Sequence, residues 1–115
     1  MPTADADIFE TLRQELRRGS LILVVLAQLR TEHYGYTLRA DLAQAGVEID
    51  EGALYPMLRR LETQGLLTSE WREENKRNKR FYRLSPAGEA ILARLIDEQR
   101  ALNQSLDSIL KEKAR

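Results

Sequence analysis

Residues 49–84 constrain this chain more than any other stretch. Residues 51–65, EGALYPMLRRLETQG, read as a helix of mixed apolar and basic character. A strand (LLTSEWRE), a basic tip (NKRNKR) and a returning strand (FYRLS) follow it. A helix running straight into a hairpin with a cationic apex has the layout of a winged helix-turn-helix. In that motif the helix enters the major groove of duplex DNA and the hairpin tip lies along the backbone.

The helix has clear ends. Asp50 is a predicted N-cap, with Ile49 and Leu54 placed as a hydrophobic staple around it, and the helix should run to Gln64 with Gly65 just past the end. At 100° per residue Leu54, Leu58 and Leu61 share one arc, with Met57 at its margin, and form the predicted core face. Gly52, Tyr55, Pro56, Arg59 and Thr63 take the other side, and Arg60 the flank. Pro56 removes one backbone hydrogen bond where an interior proline costs about 3 kcal/mol, so a local kink or irregular first turn is expected.

The outward side carries the candidate DNA contacts. Arg59 suits a bidentate guanine contact in the major groove; the competing reading is an ion pair with Glu62 or Glu51. Tyr55 is a candidate for a phosphate bond or for packing on a sugar, against a plain core tyrosine. Gly52 near the helix start would let backbone N–H groups approach a phosphate, against a simple packing glycine. Thr37, ahead of this helix, offers a similar phosphate contact, although a plain cap is the simpler reading. In the hairpin, Lys76, Arg77, Lys79, Arg80 and Arg83 stand in residues 76–83 with no acid among them, either as phosphate contacts or as a solvated tip. Asn75 to Asn78 should supply the turn. Leu67, Ser69 and Trp71 alternate to one face of it, which makes Trp71 a predicted core residue, with a ligand contact as the alternative.

The rest of the chain reads as supporting helices. Asp5 to Arg18 is amphipathic through Phe9, Leu12 and Leu16, with Gly19 as a stop and Ser20 as a cap for a second, nearly all-apolar helix from Leu21 to about Glu32. Tyr34-Gly35-Tyr36 is a break, after which Thr37 caps a short helix ending at Gly46. Ser85-Pro86 starts a last helix reaching about Lys113, some 28 residues or roughly 42 Å. Along it Leu92, Leu95, Gln99, Leu102, Leu106 and Ile109 alternate at spacings of three and four, a heptad seam broken only by Gln99. A seam this long outreaches one small core, so it predicts a homodimer, with Phe9, Leu12 and Leu16 grouped with it as dimerisation candidates. Folding back onto its own domain is the alternative. Residues 1–84 then form the winged helix-turn-helix domain and 85–115 the dimerisation helix. The fold expected is mainly α with a small β-hairpin.

Composition excludes several other functions. There is no cysteine, so thiol catalysis and thiolate metal sites are ruled out, and the single histidine, His33, cannot build a zinc cluster. His33 reads as a surface or helix-end residue, with pH sensing a remote second. No phosphate loop, nucleophile elbow or histidine–carboxylate spacing occurs, so neither an enzyme, a cofactor nor a metal is expected. The longest apolar run, Leu21–Leu29, is too short to span a membrane, and the acidic start Met1-Pro2-Thr3-Ala4-Asp5 is unlike a signal peptide. A soluble cytoplasmic protein is therefore expected. Charges balance at 18 basic against 18 acidic, which argues against nonspecific nucleic-acid packaging and keeps a second function in view, a dimeric winged-helix adaptor for protein partners.

The segments RRGSLILVVLAQL, HYGYTLRADL, EGALYPMLRRLETQGLL and KRFYRLSPAGEAIL, in this order within residues 17–95, resemble the PadR family of bacterial transcriptional regulators. The resemblance implies a winged helix-turn-helix dimer joined through its C-terminal helix, acting as a repressor on a pseudo-palindromic operator. It also implies DNA contact through a recognition-helix tyrosine and the basic wing, here Tyr55 and Lys76, Arg77, Asn78 and Lys79. Some compact members of the family sense planar aromatic compounds by stacking them on an aromatic of the last helix, at the dimer interface. This chain has no aromatic after Tyr82 and places Gln99 mid-face, so no such stacking pocket is implied and a small-molecule effector is left unidentified.

Overall fold

The computed structural model describes residues 2–113, with side chains described for residues 5–112; the rest of the acidic start and of the C-terminal segment lies outside the described residues. The elements in chain order are α1 (Pro2–Gln28), α2 (Gly35–Gln44), α3 (Glu51–Thr63), β1 (Leu67–Glu74), β2 (Arg77–Leu84) and α4 (Pro86–Lys113). This is the expected winged helix: helices with one antiparallel hairpin.

The N-terminal region departs from expectation. One continuous helix replaces the predicted pair, so Gly19 is not a stop and Ser20 not a cap, and the helix ends at Gln28 rather than near Glu32. Phe9, Leu12, Leu16, Leu23 and Leu26 keep a single stripe in phase across Gly19. That continuity outweighs the roughly 1 kcal/mol that a mid-helix glycine costs. Its last turn supplies Val25 and Leu26 to the core, and Leu29 follows just past its end, all three fully buried.

Thr37 does not cap α2. The helix starts two residues earlier, with Tyr34 at the N-cap, and the Thr37 hydroxyl instead donates to the Tyr34 carbonyl at 3.1 Å. α3 begins as expected: the Asp50 carboxylate accepts from the Ala53 amide at 2.9 Å. It is one α-helix with Pro56 inside it, and Gly65 follows its end in the left-handed region at φ +82°. Leu54, Leu58 and Leu61 are buried against Leu38 and Leu42 of α2, Leu67, Tyr82 and Leu84 of the hairpin, and Leu92 of α4. Burying each such leucine contributes about 1.5–3 kcal/mol.

The hairpin pairs Leu67 with Leu84, Ser69 with Tyr82 and Trp71 with Arg80. Its turn is tighter than predicted. Asn75 (φ 54°) and Lys76 (φ 63°) alone turn the chain, as in a type I′ turn, so Arg77 and Asn78 already belong to β2. The free edge of β2 is bonded as well: His33 and Tyr82 exchange both backbone hydrogen bonds (3.0 and 2.8 Å), and the Leu84 amide donates to the Leu29 carbonyl at 2.9 Å. The wing is thus anchored to the α1–α2 junction.

Ser85 caps α4 as expected. Its hydroxyl accepts from the Gly88 amide at 3.0 Å and donates to the Gly65 carbonyl at 2.6 Å. Leu92, grouped with the seam in the sequence reading, instead sits in this chain's own core at 4% exposure, with Leu95 and Ile96 packed beside it. Beyond Gln99 the seam has no cover: Leu102, Leu106, Ile109 and Leu110 are all more than half exposed, as are Ile8, Phe9, Leu12 and Leu16 on α1.

Candidate nucleic-acid interface

A groove of about 320 Å³ separates the outer side of α3 from the wing. Tyr55 and Arg59 line it from α3; Trp71, Asn78, Lys79, Arg80 and Tyr82 line it from the hairpin; Tyr34 and Gly35 close it at the start of α2. Two candidates from the helix, Tyr55 and Arg59, and three from the wing, Asn78, Lys79 and Arg80, therefore face one space.

Arg59 is available there. Both acids that compete for it are held elsewhere: Glu62 by Arg80 at 2.7 Å and Glu51 by Arg39 at 2.9 Å. Arg59 and Arg60 are exposed and make no ion pair among the described residues. Tyr55 is half-buried and packs on the backbone of Gly35. A Cβ at Gly35 would collide with the Tyr55 hydroxyl and come within 2.7 Å of its ring, so the glycine lets the tyrosine lie flat across the helix start.

The basic run divides by position. Lys76, Arg77 and Asn78 are exposed, and Lys76 and Arg77 form no ion pair among the described residues. Lys79 and Arg80 are turned inward. The Lys79 ammonium stands 4.4 Å from the Tyr34 ring centroid and 3.4 Å from a Glu74 oxygen. The Arg80 guanidinium bonds Glu62 and, at 3.0 Å, Ser69 Oγ. Burial pushes the Tyr82 phenol above its ordinary value, partly offset by the nearby Arg80 charge. On the opposite face Phe81 is packed edge-on by Tyr34 at 5.3 Å and covered by Arg72, which Glu32 and Glu70 hold in its charged form.

Other candidates lie outside the groove. The Thr37 hydroxyl is engaged by Tyr34 and His33. Gly52 sits beside the capping Asp50 carboxylate, 3.2 Å from where its Cβ would be, and that carboxylate already accepts from the Ala53 amide. Trp71 is corrected from core to surface, at 64% exposure, because α3 covers the hairpin only as far as Ser69 and Tyr82. The sequence reading missed Tyr34 and Gly35 as site residues; a glycine between two tyrosines was the available signal.

Residues 22–94 match the model of the Transcriptional regulator PadR-like family. The chain belongs to this family. A curated relative, Transcriptional regulator Rv3488 of Mycobacterium tuberculosis, is 37% identical over 98 residues, covering 84% of this chain and 89% of that protein. A PadR family transcriptional regulator from Eggerthella lenta has a crystal structure with TM-score 0.90 and 39% identity, covering 94% of this chain and 96% of the other. A Streptococcus transcriptional regulator is similar at TM-score 0.73 and 27% identity, covering 82% and 95%. This PadR-like chain is accordingly a transcriptional regulator. Its second groove, about 250 Å³ between α1 and α4, is lined by Gly19, Leu23, Leu95, Gln99 and Leu102 among others, and no aromatic residue lines it.

Proposed function

We propose that this PadR-like regulator binds duplex DNA sequence-specifically as a homodimer and represses transcription from a pseudo-palindromic operator. The groove shared by α3 and the wing carries the reading. It sets an unpaired Arg59 and the Tyr55 phenol against Asn78, with Lys76 and Arg77 exposed at the neighbouring tip. Arg59 reads a base edge, Tyr55 meets the sugar–phosphate backbone, and Lys76 and Arg77 neutralise phosphates beyond the helix. Gly52 and Thr37 are assigned no contact. The exposed stripes on α1 and α4 support pairing of two copies, since apolar surface of that extent seeks cover.

The test is selection of bound duplexes from a random pool at moderate salt. A two-fold site is expected, with half-site centres about one helical turn or a multiple of it apart. Arg59→Ala should relax preference at one base position in each half-site. Lys76→Glu with Arg77→Glu should weaken all sequences and flatten the salt dependence. A pool without enrichment, and binding indifferent to both salt and the double reversal, would overturn the proposal in favour of a protein-binding adaptor.

A further inference from the structure

Trp71 is the chain's single tryptophan, and it stands largely in solvent on the side of the wing that faces α3. It is held there rather than left loose. The strand register sets it opposite Arg80, whose guanidinium lies 5.6 Å from the indole centroid. Arg80 is in turn tied to Glu62 on α3 and to Ser69 on β1. The indole is therefore tied to the recognition helix through the Arg80 guanidinium, by a cation–π approach on one side and short hydrogen bonds on the other. An indole combines a wide apolar face with one N–H that only donates. The DNA backbone offers the complement, with apolar deoxyribose faces beside phosphate oxygens that only accept.

We infer that Trp71 is a DNA-contact residue: it lies on the sugar–phosphate backbone bordering the major groove that α3 enters, covering a deoxyribose and donating Nε1–H to a phosphate oxygen. The inference rests on the DNA-binding reading above and adds a residue of different chemistry from the basic tip. A contact of this kind sets register and affinity without choosing bases.

Because no other tryptophan contributes, fluorescence of the full chain excited where tyrosine does not absorb reports on this position alone. Acrylamide quenching of Trp71 is measured with and without a selected duplex, while anisotropy of a labelled duplex reports binding independently. The bound duplex should lower the quenching constant about threefold or more, and Trp71→Ala should weaken binding about tenfold, with Trp71→Phe in between and base preference unchanged. Saturable binding with unaltered quenching, and Trp71→Ala within twofold of the parent, would overturn the inference and leave the DNA-binding reading standing. No binding of the labelled duplex by the parent chain would remove both. A Trp71→Ala chain that fails to fold leaves the quenching arm decisive.

Discussion

Arg80 Nη2 of the wing lies 2.7 Å from Glu62 Oε1 of the recognition helix. Ser69 completes a triangle, donating to Glu62 Oε2 at 2.5 Å and accepting from Arg80 Nε at 3.0 Å. Three polar side chains, each about a third exposed or less, thus join α3, β1 and β2, and Arg80 among them lines the groove. The angle between helix and wing is set there. The same pair explains why Arg59 is unpaired, since the acid three residues along its own helix is already taken.

Glu62→Gln should lower unfolding free energy by about 1 kcal/mol, the upper end for a partly exposed ion pair. It also releases the Arg80 charge beside the groove. The slope of log affinity against log salt should steepen by about one phosphate contact while discrimination between operator and random duplex falls. Urea denaturation and salt-dependent binding measure the two effects. Unchanged stability would show that the triangle does not hold the wing.

Lys76 has a conflict that a substitution can separate. Its φ of 63° suits glycine at the second turn position, yet its side chain is a tip cation. Lys76→Gly should stabilise the chain by about 0.5–1 kcal/mol and at the same time weaken duplex binding at low salt. The melting temperature and the affinity then move in opposite directions. A parallel loss of both would mean that the lysine serves the turn rather than DNA.

The local features were legible because each is written in a few adjacent residues. Asp50 with Ile49 and Leu54, Gly65 past the helix end, and Ser85-Pro86 all stand where the sequence placed them. What escaped depends on distance. Gly19 reads locally as a stop, but the apolar stripe on both sides of it stays in phase, and only packing shows that the helix continues. Alternation assigns Trp71 a face correctly, yet it cannot say that α3 stops short of it. A run of cations likewise looks uniform until the register turns Lys79 toward Tyr34 and Arg80 toward Glu62, leaving Lys76 and Arg77 outside.

Gly35→Ala tests the close approach of α2 to Tyr55. Alanine is the better helix former by about 1 kcal/mol, so propensity alone favours it. The new methyl group meets the Tyr55 hydroxyl and ring, and overpacking of that kind costs about 1–3 kcal/mol. Net destabilisation is expected, with a larger loss of duplex affinity than Tyr55→Phe produces, because the whole ring is displaced. Equal affinity for Gly35→Ala and the parent chain would show that the placement of Tyr55 does not matter for binding.

The α4 seam makes a prediction with an internal control. Leu92 is buried in the chain's own core, whereas Leu106 is 51% exposed some four turns further along the same helix. Leu92→Ala should therefore cost about 2–5 kcal/mol of folding stability through the cavity it leaves. Leu106→Glu should leave the fold of a single copy intact but set a charge into the interface of two copies. Sedimentation at micromolar concentration should show the parent at twice the chain mass of 13.3 kDa and Leu106→Glu at that mass. Its affinity for a two-fold operator should drop by more than its affinity for a single half-site, because only the paired chain engages both halves at once. A parent chain that sediments at 13.3 kDa under these conditions would instead mean that the exposed leucines do not join two copies, and the symmetric operator would go with them.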